Sequence, residues 1–210
     1  MEGSIVTTKR IQNKDGHQAL KAKATRERII NAVVELINES GFSSASSTAI
    51  AKKAGITWGA VQHHFGNKEE ILAAVMEMSR DVYFQSLTQA DIHDGTLENR
   101  VSHFVDRVWE HYKSDLYFAF SEIVMATRGN DSKLPLRKIR VTNGLDEHLK
   151  RMVEIFEGYD VPQERLNEAL RFTHRFLGGF ALDRILEPGM PFEDIHIQRV
   201  KDQLLAIIHH

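Results

Sequence analysis

An all-α fold is predicted for this chain of 210 residues. Apolar residues recur at helical spacing along nearly its whole length, and no segment shows convincing strand alternation. The Pro188-Gly189 pair, isolated glycines and Ser, Thr or Asn caps fall between the periodic segments, where helices start and stop. The layout reads as a three-helix N-terminal domain over 24–70 and a larger helical domain over 71–210, preceded by an arm over 1–23.

Residues 1–23 lack hydrophobic periodicity and are expected to form a flexible basic arm. Its Lys9, Arg10, Lys14, Lys21 and Lys23 either follow a DNA backbone or groove or belong to a silent tail. From Thr25 to Ser40, Ile29, Ile30, Val33, Val34, Leu36 and Ile37 define one apolar helix face. Gly41 ends that helix, and Phe42 is placed in the core of the three-helix unit.

The next stretch, SSTAIAKKAGITWGAVQHHFGNK over 46–68, predicts two short helices joined at Ala54-Gly55-Ile56-Thr57. Ser46 or Ser47 caps the first, whose apolar stripe is Ile50, Ala51 and Ala54. Gly55 stands where the chain must reverse, a position that often needs a left-handed backbone. Ile56 packs into the corner, and Thr57 caps the second helix. This is a helix-turn-helix, whose second helix suits a DNA major groove.

These residues resemble the DNA-binding domain of the tetracycline-repressor (TetR-like) family of bacterial transcriptional regulators. The matching positions are Gly41-Phe42, Ile50-Ala51, Ala54-Gly55-Ile56-Thr57, Gly59, His64-Phe65, Lys68 and Glu70-Ile71-Leu72. Detailed likeness covers residues 25 to 75, and the length and helical layout agree over the whole chain. Two positions depart from the family pattern: Ser47 replaces an apolar residue, and Gln62 replaces a tyrosine whose hydroxyl commonly touches phosphate. Gln62 can instead donate to phosphate or bind adenine. The resemblance implies a homodimer on double-stranded DNA, a small-molecule effector held by the C-terminal domain, and repression as the commoner mode.

On the second helix, Val61 and Phe65 are four apart and are expected to point inward. The DNA-facing candidates are Trp58, Gly59, Ala60, Gln62 and His63 on that helix. Trp58 either meets thymine methyls and the sugar-phosphate wall or packs within the domain. Gly59 lets the helix approach the DNA closely, at a cost of roughly 1 kcal/mol in helix propensity. His64 braces the helix end or touches phosphate. Ser46, Thr48, Thr57 and Lys68 are the candidates for phosphate contact at helix N-termini and beyond. Two such units in a dimer would face an inverted repeat, their recognition helices about 34–36 Å or a multiple apart.

After a capping Asn67, a helix runs through Ile71, Leu72, Val75, Met76 and Met78 toward Leu87, linking the two halves. The segment 89–96, with Asp94-Gly95, reads as a loop. Helices follow near 97–112, 114–129 (expected to be well buried), 134–158, 162–187 and 192–208. The last two are rich in apolar residues and are assigned to the dimer interface, through Phe172, Gly178, Gly179, Phe180, Leu182, Ile185, Leu204 and Ile208. Gly178-Gly179 allows close helix approach there or marks a kink. For the effector pocket that the resemblance implies, the lining candidates are Trp109, Tyr112, Tyr117, Phe118, Met125 and Phe176, with Glu122 and His174 as polar groups; each is otherwise a core residue.

Composition narrows the alternatives. The formal charge is −2, yet ten basic and seven acidic residues through residue 71 leave about +3 in front and −5 behind. Such an asymmetry orients the N-terminal side toward phosphate. No apolar run is long enough to span a membrane, no secretory signal is expected, and zero cysteines exclude disulfides and thiolate metal sites, as fits the cytoplasm. A di-iron bundle needs two Glu-x-x-His motifs plus two further glutamates; the sequence has one such motif, Glu193 with His196. His103, Arg107 and His111 form a stripe at i, i+4 and i+8, but the arginine opposes a cation. No metal-protease, phosphate-binding or nucleophile-elbow motif occurs, so neither catalysis nor a cofactor is expected. The alternative function is a helical interaction protein that has lost specific DNA binding.

Overall fold

The computed structural model describes residues 3–128 and 145–209, with side chains from 17 and from 147 onward in the two stretches. Helices account for the regular structure there: α1 (Gly3–Ser40), α2 (Ser47–Lys53), α3 (Trp58–Phe65), α4 (Lys68–Ser86), α5 (Leu97–Tyr112), α6 (Asp115–Thr127), α7 (Leu145–Ile155), α8 (Gln163–Asp183) and α9 (Glu193–His209). Short 3-10 turns occupy Phe42–Ser44 and Ala90–His93. Of the helix expected over 134–158, residues 134–144 lie outside the described residues. No helix among those described is long and apolar enough to cross a membrane.

Packing divides the chain into two units, which meet after Val75 within α4; the patterning places the boundary at 70–71. In the first unit, Ile29, Val33 and Ile37 of α1, Ile50 of α2, Val61 of α3 and Ile71 of α4 are fully buried. Val34 and Leu36 lie at the edge of this face, half-buried. Phe42 is also half-buried, and the Lys68 ammonium sits 5.1 Å from its ring centroid. Ala45 takes the buried place beside it, because the 3-10 turn carries the larger ring to the rim.

The arm differs from expectation. The helix is continuous from Gly3, and residues 17–24 lie on it exposed. That segment, His-Gln-Ala-Leu-Lys-Ala-Lys-Ala, is made almost wholly of good helix formers. Local propensity extends α1 here without an apolar face, which is why periodicity gave no sign of it.

The second unit is built around α5. Its Val101, Phe104, Val105 and Val108 are fully buried, spaced as one face of an amphipathic helix. Leu166, Leu170 and Leu177 of α8 and Val200 and Leu204 of α9 close the same core with Met152 and Ile155 of α7. α6 is less buried than expected: only Ala119, Ser121 and Ile123 are covered, and Met125 is 42% exposed. Apolar residues run right round this helix, so one stripe meets the core and the remainder does not.

Candidate DNA interface and C-terminal polar cluster

Local chemistry sets the helix-turn-helix. Ser46, rather than Ser47, caps α2, its hydroxyl accepting from the Ala49 N–H at 3.3 Å. At the other end Gly55 adopts φ +67°, and two bonds close the turn: Gly55 N–H to Lys52 C=O and Ile56 N–H to Ala51 C=O, both 3.1 Å. These are the paired bonds of a Schellman C-cap, which needs the left-handed residue that glycine supplies most cheaply. Thr57 then caps α3 by accepting from Ala60 N–H at 3.2 Å, and Asn67 caps α4 by accepting from Glu70 N–H at 2.9 Å. Lys53 ties α2 to α1 through Glu35 and Glu39, at 3.1 and 2.7 Å.

Val61 and Phe65 of α3 are buried against this frame. The opposite side carries exposed Gly59, Gln62 and His63, with Trp58, Ala60 and His64 half-buried. Ser46, Thr48 and Thr57 are exposed near the N-termini of α2 and α3, and Lys68 is half-buried at the start of α4. A Cβ at Gly59 would meet nothing nearer than Thr57 Oγ1, at 3.9 Å. The side opposite Val61 and Phe65 is therefore open at Gly59, Gln62 and His63, with Trp58 half-buried beside them. Sequence patterning missed Arg26 of α1, placed merely off the apolar face. Its guanidinium lies 3.9 Å above the Phe65 ring centroid and donates to the His64 carbonyl at the end of α3.

In the second unit the expected pocket residues separate. Tyr112, Tyr117 and His174 do come together: the two phenol rings are 4.2 Å apart, and the Tyr112 hydroxyl bonds His174 Nδ1. Trp109 is instead a packing residue, stacked on Phe180 at 5.0 Å and donating to Glu193 at 2.7 Å. Phe118 lies under the Arg184 guanidinium at 4.5 Å. Glu122 is half-buried, Met125 is exposed, and Phe176 is 38% exposed on the other side of α8. Three residues not singled out for the pocket join the cluster: Tyr83, whose hydroxyl is 3.4 Å from His174 Nε2, His111 and His148. Burial holds the His111 imidazole down at about 4 and His174 at about 3, with the nearby His148 lowering both further and His111 also acting on His174. The same burial pushes the Tyr112 phenol well above its ordinary range. Of the histidine stripe, only His111 turns inward; Arg107 pairs with Asp91 at 2.6 Å.

The expected interface residues also divide. Phe172, Phe176, Gly179 and Phe180 line an open groove of about 650 Å³ with His196 and Val200, Leu182 is half-buried and Ile185 is 53% exposed. Leu204 and Ile208, by contrast, are buried within the unit's own core. Gly178 faces inward too, since a Cβ there would stand 3.2 Å from both Tyr112 Cε1 and the Tyr117 hydroxyl. Its close approach is to α5 and α6, not to a second chain. Among the described residues, no group of three or more His, Asp or Glu is arranged to hold a metal ion.

Comparison with known proteins agrees with this architecture. The sequence profile described as bacterial regulatory proteins, tetR family, matches residues 29–75. The chain is 48% identical over 58 residues to the HTH-type transcriptional regulator SrpR of Pseudomonas putida, covering 28% of this chain and 27% of that one. It is 31% identical over 109 residues to the transposon Tn10 TetC protein of Escherichia coli, 50% of this chain and 54% of the relative. The chain thus spans about a quarter to a half of these curated relatives. A transcriptional regulator from Rhodococcus sp. Rha1 shares the fold with a TM-score of 0.67 at 23% identity, over 87% of this chain and 95% of that one. Residues 29–75 thus carry the helix-turn-helix domain of the tetR family of bacterial regulatory proteins, and the fold over most of the chain is one seen in a solved transcriptional regulator.

Proposed function

We propose that the protein is a homodimeric, sequence-specific transcriptional regulator, acting as a repressor, whose affinity for an inverted-repeat operator is set by a small molecule bound in the C-terminal unit. The observation that carries this reading is α3: capped by Thr57, buried on its Val61 and Phe65 side, and open on its Trp58, Gln62 and His63 side. That side is shaped for base edges, while Lys68 and the α3 N-terminus serve phosphates. Residues 24–70 are the DNA-binding domain in this reading, and 71–210 bind effector and pair the two chains.

Pairing is supported by the groove along α8 and α9. An exposed Phe176 flanked by the half-buried Phe172 and Phe180 makes an apolar strip suited to a partner, and two copies packed there form a four-helix bundle. Effector control then follows by linkage: a ligand that favours one spacing of the recognition helices changes operator affinity by its preference for that state. Neither arrangement calls for catalysis or a cofactor.

Selection of bound sequences from a random duplex pool, at fixed salt, tests the reading. Recovery of an inverted repeat is expected. Enrichment of a single half-site would remove the dimer. Recovery of no sequence, with and without candidate effectors, would favour a helical interaction protein instead.

A further inference from the structure

We propose that the imidazole–phenol cluster of the C-terminal unit is the binding site of a flat aromatic carboxylate, taken up together with one proton. This rests on the effector reading above and names the chemical class of the effector.

Five helices bring the rings together: Tyr83 from α4, His111 and Tyr112 from α5, Tyr117 from α6, His148 from α7 and His174 from α8. His148 lies 4.9 Å from His174 and from Tyr83, and His111 lies 5.4 Å from Tyr83 and 5.5 Å from Tyr117. Rings of this kind, tilted and edge-on to one another, present both faces and edges to a further ring. A core built only for stability would use apolar side chains here, because each buried polar atom must find a partner.

The hydrogen-bond accounting leaves one atom over. A neutral imidazole has one N–H and one lone pair. His174 uses both, on the hydroxyls of Tyr112 and Tyr83. His111 uses one: its Nε2 is 3.4 Å from Ser79 Oγ, while its Nδ1 is buried with no hydrogen-bond partner. His111 is only 8% exposed, so that nitrogen does not face bulk solvent.

Charge then selects the ligand. The charged groups that act on the His111 and His174 imidazoles are other histidines, His148 on both and His111 on His174; the phenols acting on Tyr112 are Tyr117 and Tyr83. Among the described residues, no carboxylate acts on these histidines and phenols to meet an ammonium ligand. A carboxylate brought against the cluster favours the imidazolium form, since an opposite charge at hydrogen-bond distance stabilises the charged state. The proton comes from solvent and forms an N–H bond on an imidazole nitrogen, so the filled site is a neutral ion pair. The anion is thereby desolvated with its counter-charge supplied on arrival, and an empty site carries no buried charge.

Benzoate is the probe, with benzamide and benzylamine as its neutral and cationic isosteres, each titrated calorimetrically into the full-length protein. Titration in two buffers of different protonation enthalpy counts the protons, and the ring carbon–proton resonances of the histidines locate them. Benzoate is expected to bind best, with proton uptake that grows as pH falls from neutrality toward about 5, a histidine shift toward the imidazolium position, and affinity that falls as pH rises through that window. His111→Gln, which removes the nitrogen left over, is expected to weaken benzoate at least about tenfold and to lower the proton uptake, in a variant whose cooperative thermal unfolding shows that it folds. Equal or tighter binding of benzamide or benzylamine would overturn the assignment. So would benzoate binding without proton uptake, or with the histidine resonances unmoved, which puts the proton on the acid. Absence of benzoate binding by a protein that still holds its duplex would overturn the assignment and leave the regulator reading standing. Benzoate binding as expected by a protein that selects no duplex would do the reverse.

Discussion

Arg26 of α1 covers the Phe65 ring of α3 at 3.9 Å and donates to the carbonyl just before it, at His64. One side chain thus closes the C-terminal end of the recognition helix twice, through the ring and through an otherwise orphaned carbonyl. Arg26→Ala is expected to lower the stability of the N-terminal unit by about 1–2 kcal/mol and to weaken binding to every duplex alike. Thermal unfolding and a panel of operator variants measure the two effects. A change in sequence preference, with stability unaltered, would instead make Arg26 a base-reading residue.

Gly59 separates stability from function. A methyl group there meets nothing nearer than 3.9 Å within the chain, so Gly59→Ala is expected to stabilise α3 by up to about 1 kcal/mol. The same methyl stands on the side proposed to face DNA. Operator affinity should therefore fall although the melting temperature rises. If both rise, close approach of the helix to DNA is not why glycine stands there.

Lys68 and Gln62 are expected to fail differently. Lys68→Ala removes the ammonium proposed to hold a phosphate, so affinity is expected to drop on all sequences and the slope of log K against log salt to shrink by about 0.9. Gln62→Ala should leave that slope unchanged and relax preference at one base pair, worth roughly 1–3 kcal/mol. Salt titrations on matched and mismatched duplexes distinguish them. A salt slope that moves with Gln62 would place this side chain on phosphate.

What was legible in the sequence was what local chemistry decides. The Gly55 turn and the caps at Thr57 and Asn67 depend on residues within a few positions of one another, and α5 begins and ends at Leu97 and Tyr112 as its apolar stripe predicts. Which neighbour covers an apolar stripe is a long-range matter. Hence Leu204, Ile208 and Gly178, assigned to a partner chain, face their own core, while Phe176, assigned to the pocket, faces outward. His111 shows the same limit: its spacing puts it on one stripe with His103 and Arg107, yet successive steps of four drift by about 40° around a helix. The third member therefore turns into the core. Arg26 gave no sequence signal, since a lone arginine beside an apolar face looks like a solvated charge.

Phe176 tests the dimer. It is the most open aromatic in the groove shared with Phe172 and Phe180. Phe176→Asp is expected to raise the dimer dissociation constant by about 100-fold, the scale of a central aromatic contact at an interface. Operator affinity should fall with it, because each unit then binds alone. Sedimentation velocity over a concentration series reads the first effect. An unchanged dimer would move the interface off this groove.

The buried histidines predict acid sensitivity, and the sign follows from their direction of shift. His111 and His174 are held at about 4 and about 3 in the folded chain, against an ordinary 6.5. Below 6.5 the unfolded chain takes up protons that the folded one refuses, so these groups favour the fold fully above that pH and progressively less as pH falls toward 4. With both sites counted, the loss approaches about 2.7 kcal/mol per pH unit across that window. Urea unfolding of the C-terminal unit at pH 7 and pH 5 measures it. His111→Gln with His174→Gln should flatten the dependence, since glutamine keeps hydrogen-bonding capacity and does not titrate. Persistence of the full slope in that double variant would assign the acid sensitivity to groups outside the cluster.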